Sequence, residues 1–258
     1  MASLETTLTF IGGPTVLIEL GGLRLLTDPT FDEPGKYEAR GIVLEKKSGP
    51  ALSADQLGVF DAVLLSHDQH FDNLDRMGRE VMQRAKNTFT TPVGAKRLGG
   101  SATGLVPWET VHLDGSNGQR IYITGTPARH GPVGIEPIAG EVTGFLLGLN
   151  EPGDAIYVTG DTVWYEGVAE VARRFQPRLV MLFAGSAKPR GPFHLTMDNN
   201  DAIETAHAFA QAKIVAIHNE GWGHFTESQA DVIRAFGTLG LATRLQTLER
   251  GRPTQILL

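Results

Sequence analysis

Ser66-His67-Asp68-Gln69-His70-Phe71-Asp72-Asn73-Leu74-Asp75 follows directly on the apolar run Asp61-Ala62-Val63-Leu64-Leu65, and this junction decides how the chain is read. The apolar run suits a buried strand, and the turn leaving it carries two histidines and three acids. Imidazole and carboxylate converging on a strand-end loop are what a divalent metal requires. Leu74, Met77, Val81, Met82 and Ala85 then recur at helical spacing. A helix starting near Asp72 points its first N–H groups into the same space. The competing reading is a polar turn whose Asp and Asn side chains only cap that helix.

Four further stretches end an apolar run on a His or an Asp: Thr126-Pro127-Ala128-Arg129-His130, Tyr157-Val158-Thr159-Gly160-Asp161, Gly191-Pro192-Phe193-His194 and Val215-Ala216-Ile217-His218. Side chains supplied by several strand-end loops of one scaffold are the usual construction of a preorganised site.

Around these stretches the remaining elements fall into order. Strands are expected at 7–11, 15–20 and 23–27, forming an antiparallel meander with glycine turns. A long irregular stretch, 29–60, reads as a lid over a site or as a surface excursion. From 88 to 158 the chain is strand-like, with strands at 109–113, 119–124, 142–149 and 155–158. Helices at 168–175 and 198–211 then alternate with strands at 178–183 and 213–217. A helix over 226–236 opens on the capping box Thr226-Glu227-Ser228-Gln229, and strands at 241–245 and 254–257 close the chain. Two packed sheets covered by helices on both outer faces, forming a single domain over 1–258, are the architecture this order implies.

Composition narrows the chemistry. The 258 residues include 8 histidines and no cysteine, so thiolate ligands, Fe–S clusters, disulfides and cysteine nucleophiles are excluded. A net charge of −6 leaves no electrostatic footprint for nucleic acid or an anionic membrane surface. The start, Met1-Ala2-Ser3-Leu4-Glu5, shows no leader pattern, and no apolar run reaches the length of a membrane span. A cytoplasmic protein acting on a small molecule is expected, with its oligomeric state left open.

Leu25-Leu26-Thr27-Asp28-Pro29, the 66–75 segment, His130, Gly160-Asp161-Thr162 and Ile217-His218 resemble, in order, the five motifs of the metallo-β-lactamase superfamily. Within it the chain is similar to the branch of ascorbate-6-phosphate lactonase and N-acyl-phosphatidylethanolamine phospholipase D. Gly49-Pro50-Ala51-Leu52 and Gly221-Trp222-Gly223-His224-Phe225 support that branch. The resemblance implies an α/β fold, a four-layer αββα sandwich, with one or two divalent metal ions at one edge: zinc, or manganese or iron. It implies that His67, His70 and His130 hold the first ion, that Asp72 and His218 hold the second, and that Asp161 bridges them. Asp28 then orients the cluster without binding metal.

Two departures stand out. Two residues separate His67 from His70 where the superfamily has one, so either His67 binds across a bulge or Asp68 takes the first position. Asn73 replaces the last histidine of the pattern, and an amide oxygen is a poorer zinc ligand than imidazole.

The function implied is a metal-dependent hydrolase. A divalent ion lowers the pKa of water toward about 7, supplying hydroxide to attack an ester, lactone, amide or phosphodiester-type centre. Asp72 is the expected proton acceptor. His194 is a candidate catalytic contact, or else a helix-entry histidine. His224, Arg129 and Trp164 are candidate substrate contacts, although each also suits a packing or local pairing role. Lys46-Lys47 reads as a solvated pair, and His112 and His207 as outside any site. The alternatives are a metal-poor binding protein on the same scaffold, or a thioester- or persulfide-processing enzyme.

Overall fold

The computed structural model describes residues 5–39, 41–115 and 117–258. Met1–Leu4, read above for a leader, lie outside the described residues. The chain opens as an antiparallel meander, β1 (Glu5–Gly12), β2 (Thr15–Leu20) and β3 (Leu23–Thr27). A two-stranded hairpin, β4 (Gly35–Ala39) with β5 (Ile42–Lys46), and a short helix α1 (Ala54–Leu57) follow. Then come β6 (Phe60–Leu64), helix α2 (Arg76–Met82), β7 (Ala85–Thr90), helix α3 (Pro92–Leu98) and β8 (Ala102–Gly104). Strands β9 (Thr110–Asp114), β10 (Arg120–Pro127), β11 (Thr143–Gly148) and β12 (Ile156–Val158) begin the second half, with a single helical turn α4 (Glu136–Ala139) between β10 and β11. Helix α5 (Glu166–Arg174), β13 (Leu179–Phe183), helix α6 (Asn199–Ala208), β14 (Lys213–Ile217) and helix α7 (Gln229–Thr238) alternate before β15 (Leu245–Gln246) and β16 (Pro253–Leu257).

These strands form two seven-stranded sheets, ordered β16-β1-β2-β3-β6-β7-β8 and β15-β14-β13-β12-β11-β10-β9. Alternation along the strands divides them into faces. In β13, Leu179, Met181 and Phe183 face the other sheet, while Val180 and Leu182 face α5, α6 and α7. In β2, Val16 and Ile18 face inward while Leu17 meets the layer formed with α1 and α2. Strands buried on both faces read as continuous apolar runs. Helices therefore cover both outer faces, giving the four-layer αββα sandwich. No helix among the described residues is long and apolar enough to cross a membrane.

Topology gathers the motifs at one edge. Strands β3, β6, β7 and β8 run parallel, as do β12, β13, β14 and β15. Asp28 follows β3, His67 lies three residues after β6, and His218 follows β14. Asp161 lies three residues after β12, and His130 three after β10. Ligands in open α/β sheets bind outside the carboxyl ends of strands, and here both sheets contribute such ends.

Four local readings change. The stretch 29–60 is not wholly irregular, because it holds the β4–β5 hairpin and α1. The cap of α7 is Ser228 with Asp231, whereas the Thr226 hydroxyl donates to the Ser186 carbonyl at 2.7 Å. Residues 242–244 form a 3₁₀ turn, leaving only Leu245–Gln246 as strand. Helices α3 and α4 also interrupt the span 88–158.

Candidate metal centre

Three imidazoles meet at the edge. His67 Nε2 lies 2.8 Å from His70 Nδ1, and His130 Nε2 lies 3.1 Å from the same atom. The surroundings set how two of these rings point. The Ser66 hydroxyl donates to Asp28 Oδ1 at 3.0 Å and so accepts from His67 Nδ1 at 3.0 Å. His130 Nδ1 sits 2.7 Å from the Leu195 carbonyl, which can only accept. Both rings therefore carry their proton on Nδ1 and direct the Nε2 lone pair inward. Hydrogen bonds to the outer ring nitrogen are how metal-ligating histidines are commonly oriented.

A second group adjoins the first. Asp161 Oδ2 is 3.6 Å from His130 Nε2, and its Oδ1 is 3.3 Å from His218 Nε2. His218 Nε2 is also 3.7 Å from Asp72 Oδ2. Ligand atoms of His67, His70, His130 and Asp161 lie within 4.8 Å of one another, as do those of Asp72, Asp161 and His218. Asp161 belongs to both groups. Asn73 contributes differently: its Nδ2 donates to Asp161 Oδ1 at 3.2 Å, so the amide orients the shared carboxylate. The backbone is also unusual here. Asp28 and His218 hold left-handed φ values of 24° and 57°, conformations that non-glycine residues sustain mainly where surrounding structure over-determines them.

Electrostatics follow from this crowding. Burial pushes the His67 imidazole down to about 4, against the attraction of Asp161 and Asp72. Burial also lowers His70, reinforced by His67 and His130. For Asp72 burial acts upward, but His224, His218 and His70 outweigh it and hold the carboxyl below the ordinary range. Asp161 is likewise raised by burial and lowered further by His218, His130 and His67. Burial lowers His218, yet Asp161 and Asp72 carry it above its usual value. Asp28 is raised by burial and by repulsion from Asp161, despite its bonds from Ser66. Burial thus favours neutral imidazole at His67 and His70, whereas Asp72 and Asp161 stay ionised beside His218 and favour its charged form.

A divalent cation fits this donor set. Asp161 Oδ2 and His218 Nε2 are buried without a hydrogen-bond partner, and the inward-facing Nε2 atoms of His67 and His130 converge on His70 Nδ1 at about 3 Å. Such atoms are satisfied together by a cation of zinc-like preference. Asp68 is not among the donors. Its carboxylate pairs with Arg97 (Nε at 2.9 Å), and its carbonyl accepts from Arg79, which leaves His67 rather than Asp68 in the candidate group.

The substrate and catalytic candidates divide. His224, from the loop after β14, lines the cleft over the centre, and its Nε2 lies 2.9 Å from Asp72 Oδ2. His194 is not brought in: its ring is turned to Asp201 at 3.1 Å and Asp198 at 3.6 Å around the start of α6. Arg129 lies outside the cleft lining too. Its Nε donates to the Gly131 carbonyl, and its guanidinium stacks 4.5 Å from the centre of the Tyr165 ring. Trp164 packs into the layer between the second sheet and its helices. Each has a closer partner than the site: acids for His194, an aromatic face for Arg129 and apolar helices for Trp164. His112 and His207 are exposed.

One residue outside the motifs matters. Lys46 is buried and donates to Asp75 Oδ2 at 2.8 Å, whereas Lys47 is exposed and pairs with Glu45. Asp75 also accepts from the backbone N–H groups of Phe31, Asp32 and Gly78. The β4–β5 hairpin is thereby fastened as a flap over the centre, with Tyr37 packed on Phe71 and Trp222 at 5.4 Å each. The alternation Ile42, Leu44, Lys46 along β5 was the available signal, since it puts all three on one face. Beneath the flap lies a narrow cleft that reaches His70, Asp72, His130 and His224.

Comparison with known proteins bears on the fold. The family model described as a beta-lactamase superfamily domain matches residues 23–219. The chain is similar to UPF0173 protein YddR of Bacillus subtilis, with 26% identity over 254 residues, 95% of this chain and 97% of that one. Among solved structures it is similar to an isothiocyanate hydrolase from Delia radicum gut bacteria (TM-score 0.82, 22% identity, 96% and 98% covered). It is also similar to a possible metal-dependent hydrolase from Veillonella parvula (TM-score 0.83, 22% identity, each chain covered completely).

Proposed function

The chain belongs to the beta-lactamase superfamily, and from that premise we propose that it is a metal-dependent hydrolase of a small-molecule substrate. One observation carries the reading: His67, His70, Asp72, His130, Asp161 and His218 leave four different strand ends and converge in one buried cage. His67, His70 and His130, with Asp161, would hold one ion, and Asp72, Asp161 and His218 a second. A divalent ion there supplies Lewis acidity, polarising the electrophile and lowering the pKa of a nearby water from 15.7 to about 7.

The protein's own groups supply the rest. Asp72, fixed through Oδ2 by His224 and kept ionised by its histidine neighbours, accepts the proton of the attacking water and returns it to the leaving group. Asp28 and Ser66 hold His67, and the Leu195 carbonyl holds His130, so the cage needs little reorganisation. The flap covers the reacting centre and limits water entry. The reaction adds water across an ester, lactone, amide or phosphodiester-type bond. Asn73 leaves the second group with three donors, which favours zinc held firmly by the histidine group and a weaker second ion. The similarity to an enzyme named as an isothiocyanate hydrolase supports a hydrolytic reading.

Alanine at His130 or at His218 tests the assignment. Both variants should lose turnover, the first with loss of the firmly held ion and the second with loss of the weaker one. Undiminished turnover and metal content in both refute it.

A further inference from the structure

The cleft has apolar walls. Ile42 and Leu44 descend from the flap, and Ala187, Pro189 and Leu195 rise from the loop between β13 and α6. The fastening of the flap shapes the cleft, because Lys46 and the Tyr37–Trp222 contact hold Ile42 and Leu44 over the centre.

Apart from Arg190, the neighbouring lysine and arginines are directed away from these walls. On the inner face of β5 the basic group is Lys46, and it is bonded to Asp75. Arg97 pairs with Asp68, Arg129 turns to Tyr165, and Arg76 lies 5.5 Å from the centre of the Tyr37 ring. Among the described residues lining the cleft, Arg190 is the one arginine or lysine. Beyond the metal ions themselves, phosphoryl groups are recognised by forks of arginine or by helix N-termini, and burying their oxygens against aliphatic walls is costly.

From this geometry we infer that the substrate is an uncharged acyl compound, an ester, lactone or amide, whose apolar body packs against Leu44, Ile42 and Leu195. Phosphodiesters fall outside the class. The inference rests on the hydrolase reading above and narrows it, and it makes Leu44 a specificity-determining residue.

The test compares p-nitrophenyl acetate, butyrate and hexanoate with bis(p-nitrophenyl) phosphate on zinc-loaded protein. From acetate to hexanoate kcat/KM should rise by at least about tenfold, since a buried methylene is worth about fourfold. Hexanoate should exceed the phosphodiester by about a hundredfold, and Leu44→Asn should flatten the chain-length rise. A flat series in the wild-type protein, or a phosphodiester cleaved as well as hexanoate, overturns the inference. If no compound turns over, the hydrolase reading fails on its own and binding decides the inference. Calorimetry on the same protein should then give N-butylhexanamide a Kd about tenfold below that of dibutyl phosphate. Equal or reversed affinities overturn it.

Discussion

The buried Lys46–Asp75 pair makes a prediction that separates its two halves. Lys46 Nζ and Asp75 Oδ2 are 2.8 Å apart, with side-chain exposures of 3% and 0%. Removing either partner leaves the other behind, but what remains differs. Asp75 keeps the N–H groups of Phe31, Asp32 and Gly78, at 2.9, 2.7 and 2.7 Å. In Lys46→Met the carboxylate therefore stays solvated by the backbone, and the loss is that of one charge-assisted hydrogen bond, about 1.5–3 kcal/mol. In Asp75→Ala the ammonium has, among the described residues, only the Trp222 ring, 5.6 Å away, and α2 loses its cap as well. Breaking a buried pair from that side costs about 3–5 kcal/mol, with about 1 kcal/mol more for the cap. Urea denaturation of the wild type and both variants, at one pH and one metal load, measures the two losses. Destabilisation by Lys46→Met equal to or larger than that by Asp75→Ala refutes the reasoning.

Two further predictions concern the centre. Replacing His224 by alanine should lower kcat by about 10- to 100-fold and reduce content of the weaker ion, while His224→Gln, whose amide can donate to Asp72, recovers much of both. An alanine variant with unchanged kcat and metal content removes His224 from the machinery. The metal-free protein should lose stability in acid. His67 titrates near 4 in the fold against about 6.5 in an unfolded chain, so its contribution is complete above about 6.5 and disappears as the pH falls toward 4. Thermal melts of chelator-treated protein across that range measure it, and a flat melting temperature contradicts the assigned environment.

The cage was legible in the sequence because its residues follow strand ends that hydrophobic patterning locates well. Asp161 and His218 could be placed from the apolar runs before them. The choice between His67 and Asp68 could not, because it depends on Arg97 and Arg79 taking Asp68 across the structure. The flap was equally hidden. Its register rests on Tyr37 meeting Phe71 and Trp222, contacts spanning up to 185 residues of sequence, and a five-residue alternation among glycines and charges gives little local signal. His194, Arg129 and Trp164 resembled site residues because they neighbour motif elements in sequence, but side-chain direction decides membership, and theirs is set by Asp201, Tyr165 and the helical layer.

Metal content tests the central claim most directly. Protein purified without chelator, and again after dialysis against zinc, should carry between one and two divalent ions per chain by mass spectrometry, falling below one in His67→Ala. Wild-type protein with near-zero zinc, manganese and iron that takes up none on addition contradicts the account.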